Sequence, residues 1–312
     1  MAKKARSGTP KAPEERPPVN AAPDPSDKAA VLVISSLVAR GSVGARASAF
    51  ALERHGHPVW LVPTVWLPWH PGQGEAPRIV PDGAAFQASL DAMAASDKLG
   101  EIGAVLTGYL GDGAQAAPIG RLIDAVRAAN PDVLVVVDPV SADERGPYVP
   151  EAVLDALRGE LLPRADVLTP NRFELAALSG LPAGGDPAQL AAAARRLGIG
   201  LTVVTSALGI MRGAIGALSV SAREAILAEH AAVPDAPHGT GDLFAALLTA
   251  HMLAGANAEE ALTRATSSVF DIIARTVRRG GDELLIAAEQ TSLIRSLAMV
   301  RTRRIVEPAQ RA

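Results

Sequence analysis

The chain has 312 residues, a formal net charge of −3 and no cysteine, and its aromatic residues are five Phe, two Tyr and three Trp. The absence of cysteine excludes disulfide frameworks, thiolate metal sites and cysteine nucleophiles, and it fits a reducing compartment such as the cytoplasm. The near-neutral charge and the scarcity of aromatic residues argue against nucleic acid as a partner, because such partners require a basic surface and stacking side chains.

The two ends of the chain differ from its middle. Residues 1–28 contain six prolines and ten charged residues but almost no large apolar side chain, which predicts a disordered tail. Residues 301–312 begin with three closely spaced arginines, which predict a solvated basic tail. Residues 29–300 are expected to form one domain. No apolar run reaches the ~18–20 residues of a membrane span, so we expect no membrane partner.

Short apolar runs alternate with helix-compatible segments along this domain. The predicted strands are Ala29–Ser35, Val59–Trp66, Ala104–Thr107, Val133–Asp138, Val167–Leu168, Leu201–Thr205 and an antiparallel pair, Gly213–Val220 with Ala225–His230. The predicted helices are Ser42–His55, Phe86–Ser96, Ala114–Ala129, Pro150–Leu157, Arg172–Ser179, Pro187–Leu197, Thr240–Leu253, Ala258–Thr276 and Glu283–Ala298. Pro63 argues against a central position for the second strand. The alternation predicts an α/β fold with a mostly parallel central sheet and helices on both faces.

Small or polar residues follow most of the predicted strands. Ligands of such sheets bind beyond the carboxyl ends of the strands, so these positions are candidate site residues. Each residue taken alone is also consistent with capping the next helix, but together they favour a ligand rim. They include Ser35, Ser36, Thr64, Thr107, Tyr109, Asp138, Thr169, Asn171, Thr205 and Ser206.

The sharpest local feature is the sequence Gly239-Thr240-Gly241-Asp242, which directly precedes a long apolar helix. Glycines at a helix start let backbone N–H groups converge on an anion. An aspartate in the same turn would repel phosphate, but it could deprotonate a hydroxyl beside a phosphoryl group. The spacing alone leaves two readings open, a catalytic base or an aspartate that caps the helix. The preceding His238 is expected to be an ordinary surface residue.

Taken together, these motifs resemble the ribokinase-like kinases and, within them, the pyridoxal kinases. The matching stretches are Leu106–Gly111, Val137–Val140, Tyr148–Glu151, Ala165–Glu174 and the glycine turn. The resemblance extends over roughly residues 31–274, and it implies a ribokinase-like three-layer sandwich. It also implies ATP-dependent phosphorylation of the 5′-hydroxymethyl group of pyridoxal, with Mg²⁺, in a homodimer.

The resemblance implies roles for individual residues. Asp242 would be the general base, and the amides of Gly239, Thr240 and Gly241 would bind the transferring phosphoryl group. Asp138 and Glu174 would hold magnesium, and carboxylates at strand ends suit an ion that takes few protein oxygens. The other residues implied at the ATP site are Asp143, Thr169, Asn171, Thr205 and Ser206. Those implied at the substrate are Ser36, Tyr109 and His70.

The substrate half departs from the pattern of the pyridoxal kinases. Leu37 and Ala45 replace a histidine and an asparagine, and Pro71 replaces the threonine that contacts the ring. Two alternatives therefore stay open: a kinase for another small alcohol, such as hydroxymethylpyrimidine or a sugar, and a B6-binding protein without turnover. All three tryptophans fall between residues 60 and 69. We therefore expect Trp66 or Trp69 to pack on the substrate ring.

Overall fold

The structure, a computed structural model, describes residues 28–182 and 184–306. The predicted N-terminal tail falls outside the described residues except for its last position, and so does the end of the predicted C-terminal tail, residues 307–312. The strands are β1 (Ala30–Val38), β2 (Val59–Leu67), β3 (Ile102–Thr107), β4 (Leu134–Val137), β5 (Ala142–Asp143), β6 (Gly146–Pro147), β7 (Val167–Leu168), β8 (Leu201–Leu208), β9 (Ala214–Val220), β10 (Ala225–Ala231) and β11 (Arg301–Arg304).

The main sheet has the order β11-β10-β9-β8-β7-β4-β3-β1-β2, and β5 pairs with β6 in a separate hairpin. The pairs from β2 across to β8 are parallel, while β8, β9, β10 and β11 pair antiparallel. The predicted antiparallel pair is confirmed as β9 and β10. Strand β2 lies at the sheet edge, as Pro63 indicates. Proline has no backbone N–H to donate to a neighbouring strand, so it is tolerated on edge strands.

Helices cover both faces of this sheet. They are α1 (Gly44–Arg54), α2 (Gly83–Ala94), α3 (Ala116–Ala129), α4 (Glu151–Ala156), α5 (Arg172–Ser179), α6 (Pro187–Arg196), α7 (Thr240–Leu253), α8 (Ala258–Arg278) and α9 (Gln290–Ile294). Alternate residues of β1 enter different cores: Val31 and Val33 pack with α1, α7 and α8, whereas Leu32 and Ile34 pack with α2 and α3. The strand is therefore buried on both faces, as its continuous apolar run predicts, and the fold is a three-layer α/β sandwich.

The predicted helix over Glu283–Ala298 is wrong for most of its length, because only Gln290–Ile294 is helical. Leu284 and Ile286 are two positions apart, and both are buried in the core beside α8. A helix would turn residues at that spacing to nearly opposite sides, so the chain runs there in a non-helical conformation.

Arg301–Arg304 are exposed, as predicted for a solvated segment, but they form strand β11 at the edge beyond β10 and are not a free tail. Arg303 Nε lies 2.7 Å from Oε1 of Glu229, whose side chain is 0% exposed. Glu229 also accepts hydrogen bonds from the backbone N–H groups of Ile210 and Met211. A buried carboxylate requires such partners, and the basic cluster supplies one of them. Within the described ranges, no helix is both long and apolar enough to cross a bilayer.

Candidate functional site

The carboxyl ends of β1, β3 and β4 are joined by backbone hydrogen bonds. Gly108 N–H donates to Ile34 O at 2.8 Å, and Asp138 N–H donates to Thr107 O at 2.9 Å. A small cavity at this junction is lined by Asp138 from the end of β4 and by Asp242 from the start of α7. The structure thus brings together two of the carboxylates that the sequence indicated separately.

The glycine turn before α7 contains glycines with different constraints. Gly239 has a φ of 97°, and a Cβ at this position would lie 2.2 Å from Ser42 O, so the fold itself requires glycine here. Gly241 lies inside the first turn of α7, and a Cβ there would meet no atom within 4 Å. Nothing in the described protein therefore demands glycine at 241. An anion that approaches the helix N-terminus closely would demand it.

Asp242 lies where two helices begin. It is in the first turn of α7, and its carboxylate accepts a hydrogen bond from the N–H of Gly44, the first residue of α1. The N-cap of α1, Val43, offers no side-chain acceptor, so Asp242 supplies one. Burial raises the pKa of Asp242 to about 6, and the N–H of Gly44 opposes that rise. This pKa suits a base that works near neutral pH.

Two further carboxylates are buried beside Asp242. Asp138 is 5% exposed and accepts a hydrogen bond from Thr169 Oγ1 at 3.0 Å. Glu174 is 4% exposed, and its two oxygens accept from Asn171 N at 2.7 Å and from Ser141 N at 3.0 Å. Burial, then the charges of Glu174 and Asp242, raise the pKa of Asp138 well above its ordinary value. Burial raises the pKa of Glu174 to about 8, against backbone hydrogen bonds that lower it.

These buried carboxylates fit a divalent cation. Three neighbouring acidic groups repel one another when ionised, and a cation between them would remove that repulsion. In the described part of the chain, no group of three or more His, Cys, Asp or Glu side chains is arranged to hold a metal by itself. Magnesium needs fewer protein ligands than such a group, because one or two carboxylates are enough when phosphate oxygens and water complete its coordination shell. Asp138 and Glu174 are the residues that could supply such oxygens.

Asn171 and Glu174 also have a local structural role. Asn171 Oδ1 accepts from the N–H groups of Phe173 and Glu174, and the Glu174 carboxylate reaches back to Asn171 N–H, forming a capping box at the start of α5. Asn171 Nδ2 also donates to Ala142 O at 2.8 Å, which ties α5 to the β5–β6 hairpin. Helix capping, the alternative role considered for each strand-end residue, is therefore present at Asn171. Its partner in the capping box, Glu174, is also one of the buried carboxylates.

The remaining predicted ATP-site residues lie around this cluster. Thr205 N–H donates to Pro170 O at 2.8 Å, and Ser206 has a φ of 57° where the pairing of β8 with β9 shifts register. An irregularity of this kind re-aims side chains at a strand end. Asp143 is exposed in the β5–β6 hairpin and accepts from Arg145 N–H at 2.8 Å.

Sequence reasoning missed Tyr148, which follows the same hairpin. Tyr148 is 51% exposed, and the partial burial of its phenol, then the charges of Glu174 and Asp138, raise its pKa above the ordinary range. The phenol is therefore protonated near pH 7, within reach of the charges of the carboxylate cluster. The only sequence signal was its place in the stretch Tyr148–Glu151, which matched the family without indicating a role.

The predicted substrate loop contacts the glycine turn through two histidines. His70 and His238 stack with ring centroids 4.1 Å apart and an interplanar angle of 26°. His238 is exposed, as expected for a surface residue, but the structure gives it a partner that the sequence did not indicate. Burial, then the nearby His238, lower the pKa of His70 to about 4, so its ring is neutral near pH 7. The stack joins the loop to the residue that directly precedes Gly239.

Trp69 lies in the same loop. Its indole is 37% exposed and donates from Nε1 to Gly74 O at 3.2 Å, which closes the loop on itself. Tyr109 lies at the end of β3, where Arg78 Nη1 donates to its hydroxyl at 3.4 Å. Ser36 is half-buried in β1, and its carbonyl oxygen would lie 2.3 Å from a Cβ on Gly44. Ser36 therefore packs against the start of α1, beside the residue that donates to Asp242.

Fold and site together define a kinase of the ribokinase-like class. The sequence model of a family described as phosphomethylpyrimidine kinase matches residues 83–286. The chain is 41% identical over 265 residues to a pyridoxine/pyridoxal/pyridoxamine kinase of Bordetella avium, covering 82% of this chain and 88% of that protein. It is 38% identical to the pyridoxal kinase PdxY of Rubrobacter xylanophilus, over 85% of this chain and 93% of that one.

A solved structure gives the same answer. The pyridoxal kinase of Leishmania donovani in complex with ADP and pyridoxamine superposes with a TM-score of 0.83 at 28% identity, covering 89% of this chain and all of that one. The chain belongs to the pyridoxal kinase family, and its predicted fold and kinase class are confirmed.

The glycine turn generates a test. We expect Gly241→Ala to fold with an unchanged melting temperature, because its Cβ would meet no protein atom within 4 Å. The added methyl group would obstruct an anion at the amides, so kcat/KM should fall by about 10² -fold, as when one anion-hole donor is lost. The matched control is Gly239→Ala, which should lower the melting temperature because its methyl group would clash with Ser42 O. Wild-type kcat/KM in a well-folded Gly241→Ala protein would contradict an anion site at this turn.

Proposed function

We propose that the protein transfers the γ-phosphoryl group of ATP to the 5′-hydroxymethyl oxygen of pyridoxal and related B6 vitamers. The observation that carries the proposal is Asp242, a carboxylate with a raised pKa in the first turn of α7, directly after a glycine turn. A base and converging amides in one turn suit attack by an alcohol on a phosphoryl group. The relatives named as pyridoxal kinases, and the neighbour with ADP and pyridoxamine, supply the substrate class.

In the proposed reaction Asp242 removes the proton from the substrate hydroxyl as its oxygen attacks the γ-phosphorus. The O–H bond breaks, an O–P bond forms, the P–O bond to ADP breaks, and the proton ends on Asp242. The amides of Gly239, Thr240 and Gly241 donate hydrogen bonds to the transferring phosphoryl oxygens, where the dipole of α7 adds to the attraction. Both effects come from one helix start, so base and anion site keep a fixed separation.

Asp138 and Glu174 would hold Mg²⁺, which when bound neutralises the charge of the phosphates. Thr169 orients Asp138, while Asn171 orients Glu174 through the capping box. We propose that Thr205, Ser206 and Asp143 line the nucleotide groove beyond this cluster. The shift of register at the end of β8 supports that placement.

On the substrate side we propose contacts from Ser36, Tyr109, His70 and Trp69. The stack of His70 on His238 supports the placement of the loop over the glycine turn. With a pKa of about 4 the His70 imidazole is a weaker base than Asp242, whose pKa is about 6, so it would not take the hydroxyl proton in place of Asp242. We propose further that the chain works in the cytoplasm as a homodimer. Leu61 and Trp66 at the β2 edge are 38% and 39% exposed, which suits a partner copy; a monomer mass in sedimentation equilibrium would contradict the dimer.

A substrate panel tests the function. Coupled assays of ADP release should show turnover with pyridoxal, pyridoxine or pyridoxamine, and a kcat/KM for the best vitamer well above that for hydroxymethylpyrimidine. The family model's description and the altered loop make hydroxymethylpyrimidine the appropriate competitor. A higher kcat/KM for hydroxymethylpyrimidine than for every B6 vitamer would identify hydroxymethylpyrimidine as the preferred substrate. Tight vitamer binding without ADP release would instead indicate a binding protein.

The pH profile tests the general base. Because burial raises the pKa of Asp242 to about 6, its ionised fraction falls as the pH drops through that value. With Mg²⁺ and ATP saturating, kcat/KM for pyridoxal should therefore fall below about pH 6 and level off above it. Asp242→Asn should lower kcat by about 10²–10⁴-fold and remove that acidic limb. Full activity in Asp242→Asn would rule out the base role.

The loop predicts an effect on substrate affinity. We expect Trp69→Ala to raise the KM for pyridoxal at least several-fold and to leave the KM for ATP unchanged, because Trp69 lies in the substrate loop and away from the carboxylate cluster. Trp60→Ala is a less suitable control because that side chain packs against the core of α2 and α3. Trp69→Phe, which keeps an aromatic ring at the same position, is the matched control and should retain a KM for pyridoxal near that of the wild type. Equal changes in both KM values, or none, would contradict a ring contact by Trp69.

A further inference from the structure

The cavity beside Asp242 is lined by two hydroxyl groups that have no hydrogen-bond partner among the described residues. Ser35 Oγ and Thr107 Oγ1 are buried and make no hydrogen bond to any residue within the described ranges. Their residues are 3% and 0% exposed, so bulk solvent does not reach them. Asp138 and Asp242 line the same cavity. Two hydroxyl donors without a partner among the described residues, the buried Asp138 and the half-buried Asp242 thus face one small space.

The size of the space sets what can occupy it. The cavity has a volume of about 10 Å³. A single water molecule needs roughly 10–15 Å³ on this measure, together with two to four polar partners. Leaving buried hydroxyls unsatisfied is unfavourable, and native proteins rarely do so. Val33, Leu106 and Ala245 form the apolar part of the lining, while the volume and the polar groups of the lining match one water molecule.

The backbone keeps this space open on one side. Gly108 follows Thr107 at the end of β3, and a Cβ on Gly108 would lie 2.5 Å from Ser35 Oγ. Any other residue at 108 would therefore push the Ser35 hydroxyl from its position. Backbone pairing holds the other walls, because Ile34 is in register with Thr107, and Asp138 N–H donates to Thr107 O.

We propose that one ordered water molecule occupies this cavity and links the catalytic base to the strand ends. The water accepts hydrogen bonds from the Ser35 and Thr107 hydroxyls and donates its two protons to carboxylate oxygens of Asp242 and Asp138. All four of its hydrogen bonds are then satisfied. One carboxylate oxygen of Asp138 already accepts from Thr169, which leaves its remaining lone pairs for the water and a cation.

The proposal gives Ser35 and Thr107 a function, and it rests on the proposed role of Asp242. They are positioning residues that act on the base through the water. A donated hydrogen bond fixes the orientation of the Asp242 carboxylate before the hydroxyl arrives. The other groups that face the cluster are Glu174 from α5 and Tyr148 beyond the β5–β6 hairpin, and neither supplies a positive charge.

The first test separates the hydroxyl from the shape of Thr107. Thr107→Val keeps the volume and removes the donor, whereas Thr107→Ser keeps the donor. We expect Thr107→Val to lower kcat about 10-fold with both KM values within twofold of wild type, since the water that orients the Asp242 carboxylate loses one of its two hydrogen-bond donors. Thr107→Ser should retain most of the wild-type kcat. Melting temperatures of both variants report any purely structural loss.

The second test observes the site directly and does not depend on turnover. A high-resolution crystal structure of the full chain should show one water peak within about 2.6–3.2 Å of the Ser35 and Thr107 hydroxyls and both carboxylates. Three findings would overturn the proposal: an empty cavity, an anomalous signal there after soaking in rubidium chloride, or the pyridoxal hydroxymethyl oxygen in its place.

The two hypotheses fail in different ways. Full activity of Asp242→Asn would defeat the base role. If Asp242→Asn is inactive, but Thr107→Val matches Thr107→Ser in kcat and the crystal shows no water, the base role stands and the water link fails.

Discussion

The concentration of negative charge at one end of the sheet is the constraint on which the rest of the site depends. Asp138, Glu174 and Asp242 are close enough to affect one another's ionisation, and burial is the first cause of the raised pKa of each. Burying like charges is unfavourable unless hydrogen bonds or cations compensate. The fold supplies part of that compensation through the first turns of α1, α5 and α7, whose free N–H groups lie beside these carboxylates. The remainder suits a cation and the groups of a bound ligand.

The topology explains why these helix starts converge. In the parallel half of the sheet each strand ends at the same edge, and the following helix begins there. Asp138 comes from β4 and Glu174 from the helix after β7, whereas Asp242 belongs to a helix that follows the antiparallel strands. That helix packs with α1 and α8 against the face occupied by Val31 and Val33. The long antiparallel excursion of β9 and β10 therefore ends with the glycine turn back beside β1.

Much of this arrangement could be predicted from the sequence, because the signals were local. Buried parallel strands appear as continuous apolar runs, and Gly239–Asp242 directly precedes a long apolar segment that clearly predicts a helix. The features that the sequence did not predict depend on contacts between residues far apart in the chain. The role of Arg303 depends on Glu229, 74 residues away, and the non-helical path around Leu284 depends on the core beside α8. The contact of His70 with His238 was likewise invisible, because neither residue has a local pattern that indicates a stacking partner.

The capping box at α5 shows why a structural reading and a functional reading of the same residues need not compete. Asn171 and Glu174 satisfy the first backbone donors of the helix, which accounts for their spacing without any ligand. Yet the same bonds hold the Glu174 carboxylate in the interior, where Ser141 N–H fixes its second oxygen next to Asp138. A glutamate can cap a helix while its carboxylate is exposed to solvent. The Glu174 carboxylate is instead buried, and burial raises its pKa to about 8. The cap is therefore the means by which the fold places this carboxylate inside the site, where its chemistry suits a cation.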